Sequence, residues 1–393
     1  MKKRLLSIVT ALSLLTGIMA MSLSAFAASK TPVWDYYSKN GRHKVSSLTF
    51  TVEENDFTYK IWYPKDIKDM KRCAVILYCN GTGSNYEKAP GTVEFLSRAA
   101  SHGFICVTNT DQNCGTGASM DAGMTKILEL NENPSHKLYQ KFDFDRVGIT
   151  GHSQGATCTM NLSDPAQYEN SKYYKAIFAA SLPTNALAAS PLQNCPYDST
   201  KVKIPTCLIS GTGSTDQGFI CPIETSLRPN FKNIKSDVIM ARKTGVEHAQ
   251  SNEESASYMI AWFDWQLNGD TFAAKAFSGK QPELMTNPDW QDFKAKVKAK
   301  KFTLKKLTAL KGGFKASWNS LNTASGYQVR YALNKEMTKA KTTVKVKSPT
   351  AKAKSVTGLK KNKTYYVRVR SYRVIGNKTY YSKWSAVKAV KTK

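Results

Sequence analysis

The stretch that most restricts the fold is GHSQGA, Gly151 to Ala156. It is a G-x-S-x-G pattern set between an apolar run, RVGIT (146–150), and a helix-forming one, QGATCTMN (154–161). At average composition a chain of 393 residues contains the bare pattern by chance about 0.1 times, so its context decides its meaning. The context predicts a strand, a sharp turn and a helix, with the Ser153 hydroxyl exposed at the strand's carboxyl end. Gly151 and Gly155 flank the turn because side chains there would meet neighbouring elements.

The rest of the first 300 residues alternates in the same way. SLTFTV and FTYKIWYP, within 45–64, read as an antiparallel hairpin. CAVILYCN (73–80) is a continuous apolar run feeding a Gly-rich loop, and FICVTNTD (104–111) is a second. Further strands are expected at 174–181, 204–211 and 236–242, and helices at 91–103, 121–133 and 255–269. This is an α/β pattern: a mainly parallel sheet with helices on both faces. Functional residues then gather at the carboxyl ends of strands, here the loops 80–84, 151–155 and 211–216.

Charge divides the chain. The net charge is +28, yet residues 301–393 hold 24 of the 57 Lys and Arg and only one acid, Glu336. That segment reads as short alternating strands (FKASW, GYQVRYAL, TYYVRVRSYR), an all-β sandwich, with KAKVKAKK (294–301) as a linker or the end of a basic helix. At the other end, Lys2, Lys3 and Arg4, an apolar run and AFA (25–27) read as a secretory signal peptide over 1–27. The expected organisation is therefore a leader, a catalytic unit over 28–300 and a basic β-module over 301–393. No membrane span is expected after cleavage. Of the eight cysteines, Cys73, Cys106 and Cys207 sit in strand-like runs and read as buried thiols. Cys79, Cys114, Cys195 and Cys221 lie in or beside loops and are the disulfide candidates. None has zinc-site spacing, and no metal or cofactor is expected.

A serine hydroxyl needs a base, and the base needs an orienting acid. His248, in KTGVEHAQS, is the one histidine after the elbow; His43, His102 and His136 precede it. His152 adjoins Ser153, with its side chain expected to point away across the turn. Asp216, in LISGTGSTDQG, is the expected acid, six residues beyond an apolar strand, with Glu224 in reserve. Two backbone N–H groups should form an oxyanion hole: that of Gln154, after the nucleophile, and that of Thr82 (alternatively Gly81) in NGTGSN.

On RAASHGFICVTNTD, RVGITGHSQGA, IPTCLISGTGSTD and VEHAQS, residues 45–292 resemble the α/β-hydrolase fold. Within it they are similar to secreted cutinase-like polyester hydrolases and the related dienelactone-hydrolase branch. The resemblance implies a Ser153–Asp216–His248 triad working through an acyl-enzyme on carboxylic esters. Polyester hydrolases of this group carry an aromatic residue in the oxyanion loop and a Trp after the next strand. Thr82 and Leu182–Pro183 stand there in this chain, and Gln154 replaces an apolar residue. Residues 302–393 resemble a bacterial fibronectin type III module, with Trp318, Tyr365, Val367 and Val369 inward and Tyr366, Arg368, Arg370 and Tyr372 on the opposite face. The expected partners are an ester substrate, polymeric ones included, and an anionic wall or polysaccharide surface met by the basic module, with the chain a secreted monomer. Nucleic acid is not expected. The competing readings are an esterase on acylated plant-wall sugars and an inert, surface-binding hydrolase-like protein.

Overall fold

The uninterrupted apolar runs become the interior of a nine-stranded sheet, in a computed structural model that describes residues 30–321 and 323–393. The expected leader, 1–27, lies outside the described residues. In chain order the strands are β1 (Val45–Val52), β2 (Phe57–Pro64), β3 (Cys73–Cys79), β4 (Ile105–Asn109), β5 (Phe142–His152), β6 (Tyr174–Ala180), β7 (Thr206–Gly211), β8 (Val238–Lys243) and β9 (Trp290–Lys296). They lie in the order β1-β2-β4-β3-β5-β6-β7-β8-β9. The pairs from β4 through β8 are parallel; β1–β2, β2–β4 and β8–β9 are antiparallel.

Strand β3 shows why these runs carry no polar alternation. Cys73, Val75, Leu77 and Cys79 face one core, and Ala74, Ile76 and Tyr78 face another. Helices cover both sides, so neither face can be polar. The first core takes Met120, Met124 and Ile127 and then Cys158 and Leu162. The helices α1 (Pro32–Tyr37), α2 (Pro90–Ser101), α3 (Ala118–Glu132), α4 (Gln154–Leu162) and α5 (Ala256–Phe263) divide accordingly, with α3 and α4 on the first core and α1, α2 and α5 on the second.

Two expectations are corrected here. Lys294–Lys296, read as linker or basic helix, belongs to β9, an antiparallel edge strand. Trp290, Phe293 and Ala295 pack on the second core while the lysines point away from it. Lys296 is fixed by the carbonyls of Lys232 at 2.9 Å and Ile234 at 2.7 Å. Lysines along an edge also oppose further strand pairing. The four disulfide candidates, Cys79, Cys114, Cys195 and Cys221, are instead free, and all eight cysteines are buried. Their loops fold back into the core: Cys114 Sγ donates to the Asn80 carbonyl at 3.1 Å, and burial pushes the Cys195 thiol up to about 11.

The basic segment forms two packed sheets: β10 (Lys306–Leu310), β11 (Gly313–Ser317) and β14 (Ala353–Val356) against β12 (Gly326–Ala332), β13 (Thr342–Val346), β15 (Thr364–Ile375), β16 (Lys378–Tyr381) and β17 (Lys388–Lys391). Trp318, Tyr327, Val329, Tyr365, Val367 and Val369 fill the space between them. Tyr366, Arg368 and Arg370 lie on the outer face and are partly exposed; Tyr372 is covered.

The two units are joined by more than the connecting chain. Gly279 N–H donates to Val374 O at 2.8 Å, Gly376 N–H to Gly279 O at 2.9 Å, and the Tyr380 hydroxyl to Ala295 O at 3.1 Å. Arg373 is 1% exposed, pairs with Asp237 and lies over the Trp265 ring. Removing one partner leaves a buried charge uncompensated. Asp237→Asn is therefore expected to destabilise the protein by about 3 kcal/mol. Thermal or urea unfolding of the variant beside the parent measures it; an unchanged midpoint would show that water already solvates Arg373.

Candidate active site

The turn after β5 is built on strain that glycine makes possible on either side. Ser153 sits at φ 57° and ψ −122°, between the last residue of β5 and the first of α4. A Cβ on Gly155 would stand 2.0 Å from the Cys79 carbonyl oxygen, and one on Gly151 would stand 2.4 Å from the Gly155 carbonyl oxygen. The end of β3 therefore touches the turn, and both glycines are needed for that approach. A serine held at positive φ is a costly conformation, on the order of 1–3 kcal/mol, maintained by its surroundings.

The loop after β3 closes on the same point. A Cβ on Gly81 would be 3.2 Å from the His152 carbonyl and 3.6 Å from Ser153 Cβ. Among the described residues, the backbone N–H groups of Thr82 and Gln154 have no acceptor. Gln193 ties these two positions together. Its side-chain amide donates to Thr82 Oγ1 at 3.1 Å, and its backbone carbonyl accepts from Gln154 Nε2 at 3.3 Å. Beside it Leu192 is 71% exposed, and Phe219, on the helical turn that begins at Asp216, is 60% exposed. Both are large apolar side chains facing solvent.

Asp216 and His248 come together 32 residues apart. Asp216 is fully buried, and its Oδ1 lies 2.7 Å from His248 Nδ1. Its Oδ2 accepts from the Ser181 hydroxyl at 2.6 Å and from the Gly211 N–H at 3.0 Å. Burial alone would raise this carboxyl. The hydrogen bond and charge of His248, then the Ser181 and Gly211 donors, outweigh it and hold Asp216 below the usual carboxylate value. Ser251 extends the network, 2.6 Å from Ser181 Oγ and 3.0 Å from the His248 carbonyl. Glu247 fastens the His248 loop to the Asp216 loop by accepting from the N–H groups of Ser214 at 2.9 Å and Thr215 at 3.3 Å. Glu224 lies elsewhere, on the surface, paired with Arg228.

Ser153 and His248 are brought to one place by His152. The His152 Nε2–H donates to the His248 carbonyl at 2.8 Å, and the two rings are 4.5 Å apart. Burial, then the neighbouring His248 ring, push His152 down to about 3, so it stays neutral and keeps that bond. The Ser153 hydroxyl itself makes no hydrogen bond to His248 among the described residues. Such contacts are often long in a free enzyme and tighten on substrate.

His152, Ser181, Ser251 and Gln193 were not anticipated as site residues. Only His152 carried a usable signal, its adjacency to Ser153. Among the described residues, no cluster of three or more His, Cys, Asp or Glu side chains is arranged to hold a metal ion, and no helix is long and apolar enough to cross a membrane.

A family model described as PET hydrolase-like matches residues 35–295, from within α1 to within β9. The chain belongs to the PET hydrolase-like family. Membership makes it an α/β hydrolase of the polyester-hydrolase kind, and so an ester hydrolase. The matched span contains every residue of the site above and stops before the basic β-sandwich. A comparison with curated proteins returned no match.

Proposed function

We propose that the protein is a secreted, monomeric serine carboxylic-ester hydrolase in which Ser153, His248 and Asp216 act through an acyl-enzyme. The observation that carries this reading is the Asp216–His248 bond at 2.7 Å, with the far carboxylate oxygen already occupied by two donors, beside a strained serine turn. Asp216 fixes the tautomer in which Nδ1 holds the proton and Nε2 is free to take one. Ser153 Oγ attacks the ester carbonyl as its proton passes to His248 Nε2. The developing oxyanion is received by the N–H groups of Gln154 and Thr82. The proton then leaves with the alcohol, and water repeats the sequence on the acyl-enzyme.

Thr82 stands where the resemblance expects an aromatic residue, and Leu192 and Phe219, near Gln193 and Asp216 in sequence, are exposed apolar side chains. This supports aliphatic acyl groups, including those of polymers, over aromatic polyesters. The basic sandwich is read as a fibronectin type III module, supported by the buried Trp318 and by the Tyr365 hydroxyl accepting from Lys360 N–H at 3.3 Å. The reading of secretion rests on the amino-terminal leader pattern.

The test is hydrolysis of p-nitrophenyl esters with acyl chains of about two to about twelve carbons, together with labelling by an active-site phosphonate. Turnover with a burst, and a label on Ser153, are the expected results. No turnover and no label would leave an inert hydrolase-like protein.

A further inference from the structure

The outer face of the sheet containing β12, β15 and β16 concentrates cations that have no carboxylate. Arg330 on β12 stands directly opposite Arg368 on β15, and Arg370 opposite Gln328. Like charges placed opposite each other on neighbouring strands destabilise a sheet. No ion pair relieves these among the described residues, and the one acid of the module, Glu336, binds Asn334 in the loop between β12 and β13.

What holds the three guanidiniums is aromatic. Arg330, Arg370 and Arg368 lie 4.4, 4.5 and 5.0 Å from the centre of the Trp384 ring, and Arg370 also lies 3.9 Å from that of Tyr381. Lys345, on the adjoining strand β13, lies 4.7 Å from the Tyr372 ring. Burial, then the charge of Arg330, pull Arg368 and Arg370 below the ordinary guanidinium value. Two of the Nε–H groups are used internally: Arg330 Nε–H donates to Thr343 Oγ1 at 2.9 Å and Arg370 Nε–H to Gln328 Oε1 at 2.8 Å. The terminal N–H groups of the three arginines make no hydrogen bond among the described residues.

We propose that this face, Arg330, Arg368 and Arg370 around Trp384 with Lys345 beside them, binds a carboxylate-bearing polysaccharide. A guanidinium held against a ring with its terminal N–H groups unbonded can still donate two parallel bonds to a planar carboxylate. Alternate side chains on one strand are about 6.8 Å apart and opposite ones about 5 Å apart, a spacing at which one polymer chain can meet several charges. A single-stranded nucleic acid needs open aromatic faces for its bases, and the Trp384 ring is already covered by guanidiniums. The proposal is independent of the chemistry at Ser153.

The test measures binding of the full chain to polygalacturonate, to an uncharged galactan, to poly(glycerol phosphate) and to single-stranded DNA, at about 50 mM and about 300 mM salt. Tighter binding to polygalacturonate than to the other three, lost at the higher salt, is expected. Arg330→Gln/Arg368→Gln/Arg370→Gln should weaken it about tenfold or more. A control on the other sheet, Lys306→Gln/Lys315→Gln/Lys354→Gln, removes the same charge and should weaken it far less. Should the glutamine variant not fold, Arg330→Lys/Arg368→Lys/Arg370→Lys keeps the charge and loses the fork, and should still weaken binding severalfold. Equal losses in the arginine and control variants would overturn the site, leaving only diffuse attraction. Tighter binding to the phosphate polymer or to DNA would overturn the assignment of the partner.

Discussion

Ser153→Ala is expected to reduce ester turnover on the order of 10⁴-fold or more while leaving the fold intact. On the proposed mechanism the reaction then has no nucleophile, and no neighbouring hydroxyl can replace it. Ser181 and Ser251 are spent on Asp216 and the His248 carbonyl. The substitution should be structurally quiet, because the Ser153 side chain makes no hydrogen bond that the fold depends on among the described residues. The turn is held by backbone bonds, from Ser153 N–H to Ala180 O at 2.9 Å and from Ala156 N–H to Ser153 O at 2.9 Å. Residual activity should remain above the uncatalysed rate if the Gln154 and Thr82 N–H groups receive the oxyanion as proposed, since both are still present. Steady-state kinetics with a melting curve separates the cases. Normal turnover would remove Ser153 from the mechanism; a lowered midpoint with proportionate loss would make it structural.

The sheet was readable where burial acts on both faces. Runs such as CAVILYC have no polar side to show because helices cover both, and length with Gly-rich ends marks them as strands. Strand β9 was hidden because it is an edge: WQDFKAK buries one face only, and its lysines resemble a linker. Arg373 was hidden for the opposite reason. It follows the partly exposed Arg368 and Arg370 in sequence but at odd spacing, on the face of Val367 and Val369, where the sheet meets the first unit and Asp237 takes the charge. The site divides in the same way. Ser153 carries a local motif, and chain order picks out Asp216 and His248. Ser181 and Ser251 have neither motif nor order. They meet Asp216 and His248 only because β6, β7 and the loop after β8 end at one place. Contacts that depend on the convergence of three strand ends leave no periodic trace in sequence. The cysteines also show this limit: a loop position does not reveal whether the loop turns outward or folds into the core.

Asp216→Asn is expected to reduce turnover about 10⁴-fold at neutral pH, somewhat less than the loss of Ser153 or His248. The magnitude follows from which way the amide must point. The position of Oδ2 faces two donors, the Ser181 hydroxyl and the Gly211 N–H. A hydroxyl can turn to accept, but a backbone N–H cannot. Placing the NH₂ there would set donor against donor in a fully buried site. The amide oxygen therefore takes the Oδ2 position and the NH₂ faces His248 Nδ1. That nitrogen must then accept, so the imidazole proton moves to Nε2, toward the place where a lone pair has to receive the Ser153 proton. The base is present and correctly placed but holds the wrong tautomer. Nitrogen-15 NMR of His248 should show the proton on Nδ1 in the parent and on Nε2 in Asp216→Asn. Adding Ser181→Ala should restore little, because Gly211 alone still dictates the orientation. A silent Asp216→Asn beside an impaired Glu224→Gln would place the orienting acid elsewhere, although Glu224 lies on the surface against Arg228.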